Sequence, residues 1–418
     1  VQGFNAHSTH FVILAALAAI LVLLRAQERG ALPGFFWSGA LFGLSFLMKQ
    51  PGGAFAFFGG ALLLWAAARE RPPNWKAHAP RLAVYAAGVA APIVLTGLIL
   101  WRAGVWDKFW WWTVTYARVH ATALSLADGE ARLGGFLTHL SWDGLFWVLA
   151  VLGLGSVMIG NAGVNEKFFF LSWLVFSFAA ICPTLQFTTH YFVLMLPVIA
   201  ILAARACAWF AAWLAARSSL LARRVPWLLF GLAWEAAACS HFDMFLAKGP
   251  KEGAALIYSA NNFEVFPVLA DYLRKQSAPT AKVAVFGSEP ELFFYSHRRS
   301  VTGYIYMYDL VQDQPFRQRM DKEMMAEVEQ GRADYAVFVN LVFSWLPYPP
   351  ESFKGFNDWM VNYLERQYEP CGVVTFLPNR YFWGPDCLKH VPAGHRFVVL
   401  YRRKGLGAVN APLPKSAP

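Results

Sequence analysis

Residues 35–71 read F-F-W-S-G-A-L-F-G-L-S-F-L-M-K-Q-P-G-G-A-F-A-F-F-G-G-A-L-L-L-W-A-A-A-R-E-R. Two apolar runs, 35–48 and 52–68, meet at a turn whose one charge is Lys49, and a basic link follows the second. Runs this continuous belong in hydrocarbon, yet each is shorter than the ~20 residues that cross a bilayer. Their shared turn is therefore expected to dip below the membrane surface.

The same pattern extends over the first 245 residues. Eight apolar stretches cover 11–24, 35–48, 52–68, 82–101, 145–160, 168–187, 191–214 and 225–245. Arg25 and Arg29 follow the first stretch, Arg69, Arg71, Lys76 and Arg81 the third, and Arg217, Arg223 and Arg224 the seventh. The even links hold aromatics, histidines and Lys49–Gln50 instead. Basic loops stay in the cytoplasm, so this alternation predicts a multi-pass α-helical membrane bundle with its polar chemistry on the outer face. Composition agrees: 57% hydrophobic and 15% charged, with 18 Trp and 36 Phe to supply interfacial belts. The net charge of +10 sits largely in short loops beside the spans, so no nucleic acid partner is expected. Val1 stands in mid-pattern with neither an initiator Met nor a signal peptide, so N-terminal spans and a first outer loop are expected upstream.

After Phe245 the hydropathy collapses. Residues 1–247 read as the membrane domain, 248–404 as a small α/β domain outside the cytoplasm, and 405–418 as a flexible tail. In the second domain helices are expected at 264–275, 291–296, 315–330 and 353–366, and strands at 282–286, 335–339, 372–376 and 396–401. That alternation suggests a largely parallel sheet. Cys182, Cys207 and Cys239 fall inside spans as small apolar residues, whereas Cys371 and Cys387 lie in the exported domain and form a disulfide candidate.

Four polar groups could carry chemistry. Lys49 and Gln50 sit where two short helices meet, a place that commonly lines a site, and a lysine there can hold a phosphate as a point charge. The bland alternative is a lysine that snorkels to the headgroups. His190 and Tyr191 enter the seventh stretch ahead of Pro197, which would interrupt the helix ladder; they could bond a sugar or phosphate, or be interfacial anchors. The loop 105–142 contains W-D-K-F-W-W-W, whose four tryptophans with Tyr116, Arg118 and His120 read as an amphipathic helix in the interface or as an ordinary aromatic anchor. His7, in N-A-H-S-T-H, faces the same side. Glu235, inside the eighth stretch, is expected to face the bundle interior. In the soluble domain, G-S-E-P-E reads as a structural turn with Ser288 as N-cap and Pro290 in the first turn, a small-ligand site there being the alternative. No zinc-type spacing is present and no metal ligands are assigned.

The runs N-A-H-S-T-H-F-V-I-L, G-L-S-F-L-M-K-Q-P, F-W-W-W-T-V-T-Y and H-Y-F-V-L-M-L-P, in that order, resemble bacterial C-type (GT-C) glycosyltransferases. The nearest likeness is to the protein O-mannosyltransferase-like family 39 and its relatives that modify lipopolysaccharide. V-F-G-S-E-P-E-L-F-F-Y-S-H-R-R-S-V-T-G-Y-I-Y-M-Y is similar to the exported extension of one bacterial branch. The resemblance implies a polyprenyl-phosphate sugar as donor, used on the periplasmic face of the inner membrane, with a glycan, lipid or protein acceptor. It also implies that Lys49 neutralises the leaving phosphate, with Gln50, His190 and Tyr191 beside it. In the family the general base belongs to a first outer loop that this sequence lacks, and Ser8–Thr9 stand where relatives often carry a Glu. Within the chain only Asp107, Asp128 and Glu130 offer themselves as substitutes, so it is expected to be inactive alone. No cofactor is expected beyond the lipid-linked donor as substrate, and a divalent metal is left open. The competing readings are a transporter or flippase for a lipid-linked sugar, and a membrane-anchored assembly protein acting through its exported domain; related halves about a midplane, expected of a transporter, are not found.

Overall fold

The computed structural model describes residues 7–72, 74–121, 124–138, 144–215, 217–240, 242, 249, 252–253, 263–342, 344–345, 353–376, 379–391 and 396–407. The chain divides into two compact units, Val1–Phe245 and Leu246–Pro418.

In the first unit, α1 (Ser8–Arg29), α2 (Leu32–Met48), α3 (Gly53–Arg69), α4 (Trp75–Arg102), α5 (Trp106–Trp110), α6 (Ala117–Ala121), α7 (Leu126–Thr138), α8 (Gly144–Ile159), α9 (Val164–Ile181), α10 (Leu196–Ala215) and α11 (Ser219–Ser240) follow one another. Eight of these coincide with the eight apolar stretches. Among the described residues, five helical segments are long and apolar enough to cross a membrane, counting the turns that lead into α3 and α10; α2 and α8 are shorter apolar helices.

Packing follows the sequence closely. Val12, Ala16, Ala19, Ile20 and Leu23 recur at three- and four-residue spacing and form the buried face of α1, which stops at Gly30 in the left-handed conformation. Ser38 and Ser45 of α2 donate to the Ala19 and Val12 carbonyls of α1 at 2.9 and 3.1 Å. These bonds hold two apolar helices together where hydrocarbon gives no hydrophobic drive between them. On the other side of α2, Gly39 and Gly43 meet the Tyr85 and Val89 carbonyls of α4 so closely that a Cβ at either would collide with backbone. Tyr85 continues across to α3, donating to the Ala56 carbonyl at 2.7 Å.

Three expectations are corrected here. The loop 105–142 is not one interfacial helix but α5, a π-helical turn (Trp111–Tyr116), α6 and α7 in succession. Pro197 does not lie inside an α-helix: a 3-10 segment (Thr189–Met195) runs into α10 at Leu196, so the change of ladder falls beside the proline, in the first turn of α10. Glu235 is exposed, because α11 buries little beyond Ala233.

The second unit contains α12 (Phe266–Gln276), β1 (Lys282–Phe286), α13 (Glu291–Ser296), β2 (Arg299–Ser300), α14 (Tyr308–Val311), α15 (Arg317–Gly331), β3 (Tyr335–Asn340), α16 (Lys354–Gln367), β4 (Tyr368–Thr375), β5 (Arg380–Trp383) and β6 (Phe397–Arg403). The sheet order is β2-β1-β3-β6-β4-β5. Only β2–β1 and β1–β3 run parallel, while β3–β6, β6–β4 and β4–β5 are antiparallel, so the sheet is mixed rather than largely parallel. Successive strand residues face opposite sides. Val283, Val285, Val337 and Val339 pack with Phe266, Leu269 and Leu273 of α12, and Phe286 meets Trp359 of α16 on the other face at 6.1 Å.

The disulfide candidate is also corrected. Cys371 and Cys387 are both free. Cys371 packs with Tyr272, Val374 and Leu400 and its Sγ donates to the Leu400 carbonyl at 3.4 Å, whereas Cys387 packs with Val373 and Val399. Val373 and Val374 are neighbours on one strand and point to opposite faces, so the two sulfurs lie in separate clusters. Ser288 does not cap α13 either; Pro290 holds that position, and the Ser288 hydroxyl donates to the Ser344 carbonyl at 2.8 Å.

Candidate anion site at the Lys49 turn

Lys49 ends α2 in an extended conformation, φ −164°, and the chain reverses through a 3-10 turn, Gln50–Gly52, into α3. The reversal is tight. A Cβ on Gly52 would run into the Ser45 carbonyl and hydroxyl, so only glycine lets the turn fold back onto the last turn of α2. The Gly52 N–H closes the turn on the Lys49 carbonyl at 2.8 Å.

This geometry holds the lysine half-buried at one end of the bundle, with its Nζ 4.3 Å from the centre of the Tyr191 ring. The His190 ring lies 4.4 Å from that of Tyr191, and the His7 ring 4.0 Å from that of His190. Thr9 Oγ1 lies 3.3 Å from His7 Nδ1, and Thr188 Oγ1 lies 3.4 Å from His190 Nε2. Four side chains from the start of α1, the end of α2 and the approach to α10 thus form one contiguous group. Gln50 faces away from them and donates to the Thr113 carbonyl at 2.6 Å, which joins the turn to the π-helical segment Trp111–Tyr116. Such π-helical turns are often found at functional sites. The tryptophans there pack on one another, with Trp112 and Tyr116 ring centres 5.2 Å apart. Behind the group, Phe136 of α7 stacks on Phe192 at 3.5 Å, and Arg132 donates to the Gln186 side chain at 2.9 Å.

Among the described residues no carboxylate lies within ion-pair distance of Lys49. A half-buried ammonium whose neighbours are aromatic rings and imidazoles, and no counter-ion, is a place where an anion would be stabilised.

The other candidates are placed elsewhere. Arg118 lines a hollow of about 430 Å³ with Trp110, Val114, Thr115 and Val119, to which none of the Lys49 group contributes. The side chain of His120 lies outside the described residues. Asp128 receives the Ser125 N–H and hydroxyl at 3.0 and 2.6 Å and returns its own N–H to that hydroxyl, a reciprocal cap that starts α7. Asp107 is exposed in the first turn of α5, and Glu130 is exposed on α7. None of these three acids bonds to Lys49, His7 or His190. Among the described residues no three His, Cys, Asp or Glu side chains converge as a metal site would need. A larger cavity, about 650 Å³, lies at the opposite end of α1–α4, among Gln27, Arg69, His78, Arg81 and Asn165. Its charged groups are largely those that the basic links contribute, so the Lys49 group is the better functional candidate.

No protein-family model matches the chain, and no curated protein matches it. Among solved structures, the chain is similar to an archaeal oligosaccharyltransferase, AglB from Archaeoglobus fulgidus, in complex with an inhibitory peptide and a dolichol-phosphate. Identity is 13% and the TM-score 0.36, over 94% of this chain and 58% of that one, so the chain spans little more than half that protein's length. A likeness of this degree assigns neither family nor substrate.

Proposed function

We propose that the chain is part of a membrane glycosyltransferase that takes a sugar from a polyprenyl-phosphate donor on the periplasmic face of a bacterial inner membrane. One observation carries the reading: Lys49, half-buried at a glycine-closed turn between apolar helices, rests on Tyr191 with no carboxylate partner among the described residues. A lysine so placed can neutralise the charge that grows on a departing lipid phosphate. His7 and His190 supply hydrogen-bonding groups beside it, and the tryptophan turn, tied to it through Gln50, offers an apolar wall for a long lipid. The charge alternation of the links supports the outward placement of this end and of the second unit.

The test is binding of a polyprenyl phosphate to the purified protein in detergent, with transfer followed in parallel. Lys49→Ala should weaken binding at least about tenfold, while Lys49→Arg, which keeps the charge, should retain part of it. Unchanged binding by a folded Lys49→Ala variant would reduce the lysine to a membrane anchor. Sugar appearing on an acceptor, rather than intact donor appearing in the other leaflet, separates transfer from transport.

A further inference from the structure

The second unit contains a cavity that the Lys49 group does not explain. It holds about 230 Å³ and is lined by Phe263, Ser288, Glu289, Glu291, Tyr306 and Ser344, among others. Its position follows from the topology. Residues 287–289 leave the carboxyl end of β1, and Leu341 and Val342 leave the carboxyl end of β3, its parallel neighbour. From β1 the chain goes outward to β2, whereas from β3 it goes to β4 on the other side. The two connections therefore diverge at this point, which is where open α/β sheets form crevices for ligands.

The lining is unusual in what it leaves unsatisfied. Glu289 is only 6% exposed, and its Oε2 has no donor among the described residues; the same holds for Glu291 Oε1. Glu289 Oε2 is packed beside Gly287 and Val339 at the cavity wall. A buried carboxyl oxygen without a donor is costly, so a ligand that brought a donor to this wall would be held. The two serine donors there are committed. The Ser344 hydroxyl donates to Glu289 Oε1, and the Ser288 hydroxyl donates to the Ser344 carbonyl. No Lys, Arg or His lines the cavity among the described residues. Three aromatic rings, Phe263, Tyr306 and Tyr308, complete the wall, the last two with centres 4.8 Å apart.

We infer that this cavity binds the ammonium group of a small amine, held between Glu289 and Glu291 against the aromatic wall. With both carboxyls ionised the site has acceptors in excess; a sugar hydroxyl brings an acceptor along with its donor, whereas an ammonium brings donors only. It also carries the charge that the aromatic faces and paired carboxyls favour. Burial, reinforced by Glu291 and opposed by the Ser344 bond, pushes Glu289 up to about 8, and burial also raises Glu291. Near neutral pH the empty cavity therefore keeps a proton on Glu289, which an ammonium would displace. The other titratable groups facing the cavity, Tyr306 and Tyr308, are both raised by burial and stay neutral.

The inference is independent of the glycosyltransferase reading, and its test does not use Lys49. Titration calorimetry of the full chain in detergent at pH 7 would compare ethanolamine with ethylene glycol, its neutral counterpart, in two buffers of different ionisation enthalpy. The expected result is saturable ethanolamine binding with release of close to one proton and no binding of the diol. Glu289→Gln should lower the affinity about tenfold or more; if that variant fails to fold, Glu291→Gln, on the more accessible partner, serves instead. Nanodiscs of phosphatidylethanolamine against phosphatidylcholine, with ethanolamine as competitor, would tell a headgroup amine from a soluble one; either source supports the inference. Equal binding of the diol, or no binding of ethanolamine and no competition in nanodiscs, would overturn it.

Discussion

The Lys49 ammonium and the Tyr191 ring, 142 positions apart in sequence, meet face to face at 4.3 Å. The ring carries negative charge density on its face, so it fixes the ammonium without neutralising it. A carboxylate in the same place would neutralise the charge and close the site to an anion. Tyr191→Phe, which preserves the ring, should leave phosphate binding within about twofold, whereas Tyr191→Leu should weaken it between about 2- and 30-fold, the range expected of a cation–π contact worth ~0.5–2 kcal/mol. Equal affinities for the two variants would remove the ring from the argument.

Gln50 and Thr113 make a second long-range tie, this one a single 2.6 Å hydrogen bond at an exposed position. Its net worth should be about 1 kcal/mol. Gln50→Ala should therefore leave the bundle intact while raising hydrogen exchange across Trp111–Tyr116 a few-fold. Exchange there that stays at the wild-type rate would mean that the tryptophan turn is held by its own ring packing.

Gly52→Val leaves every polar group of the Lys49 site in place but adds a branched side chain where the Ser45 backbone leaves no room. The turn must open, and the lysine moves with it. We expect loss of phosphate binding comparable to that of Lys49→Ala in a protein that still inserts, measured by the same binding assay. Full affinity in Gly52→Val would show that the lysine reaches its ligand without the tight reversal.

Glu289 makes the second unit sensitive to pH in a definite direction. Its carboxyl titrates at about 8 when folded and near the ordinary 4.5 when unfolded, so the folded state holds the extra proton. Stability is fully present below about 4.5, declines as pH rises towards 8, and is level above that. Hydrogen exchange of the β1 and β3 amides, corrected for intrinsic rates, should accelerate from pH 5 to pH 8 in the wild type. It should change far less in Glu289→Gln. A flat wild-type profile would contradict the burial of this carboxyl.

Cys371 and Cys387 should both be recovered as thiols when the protein is unfolded and alkylated without reductant. Burial pushes the Cys371 thiol up to about 12, so in the native protein it should react with maleimide orders of magnitude more slowly than an exposed thiol. A peptide joining the two through sulfur would show that the strand packing around Val373 and Val374 differs from that described.

Much of this was legible in the sequence. Hydropathy located the helices α1–α4 and α8–α11, because hydrocarbon tolerates few alternatives to a continuous apolar run. It also singled out Lys49, His190 and His7, since polar groups stand out against such a background. Their contact was not legible, because it depends on how α1, α2 and the segment before α10 pack. The polarity of β6 was hidden for a different reason: an apolar strand reads alike in either direction, and only the tertiary fold sets it beside β3 and β4 in antiparallel register. Glu289 and Glu291 passed as a turn because nothing local in G-S-E-P-E announces burial; β3 and the residues after it bury them. The π-helical turn was missed because four tryptophans in a row of apolar residues fit an interfacial helix equally well.

The order of the sheet has a consequence for how the second unit comes into being. β6, the last of the six strands in sequence, fills the gap between β3 and β4. Until it arrives, β2-β1-β3 and β4-β5 are two fragments, each with an open edge of unpaired backbone groups. During synthesis the five earlier strands must therefore wait, exposed to mispairing and to any factor that binds bare strand edges, until residues 397–403 have emerged. A nascent chain stopped before that point should remain protease-sensitive however much of its helical content has formed, and one stopped after it should become resistant in a single step.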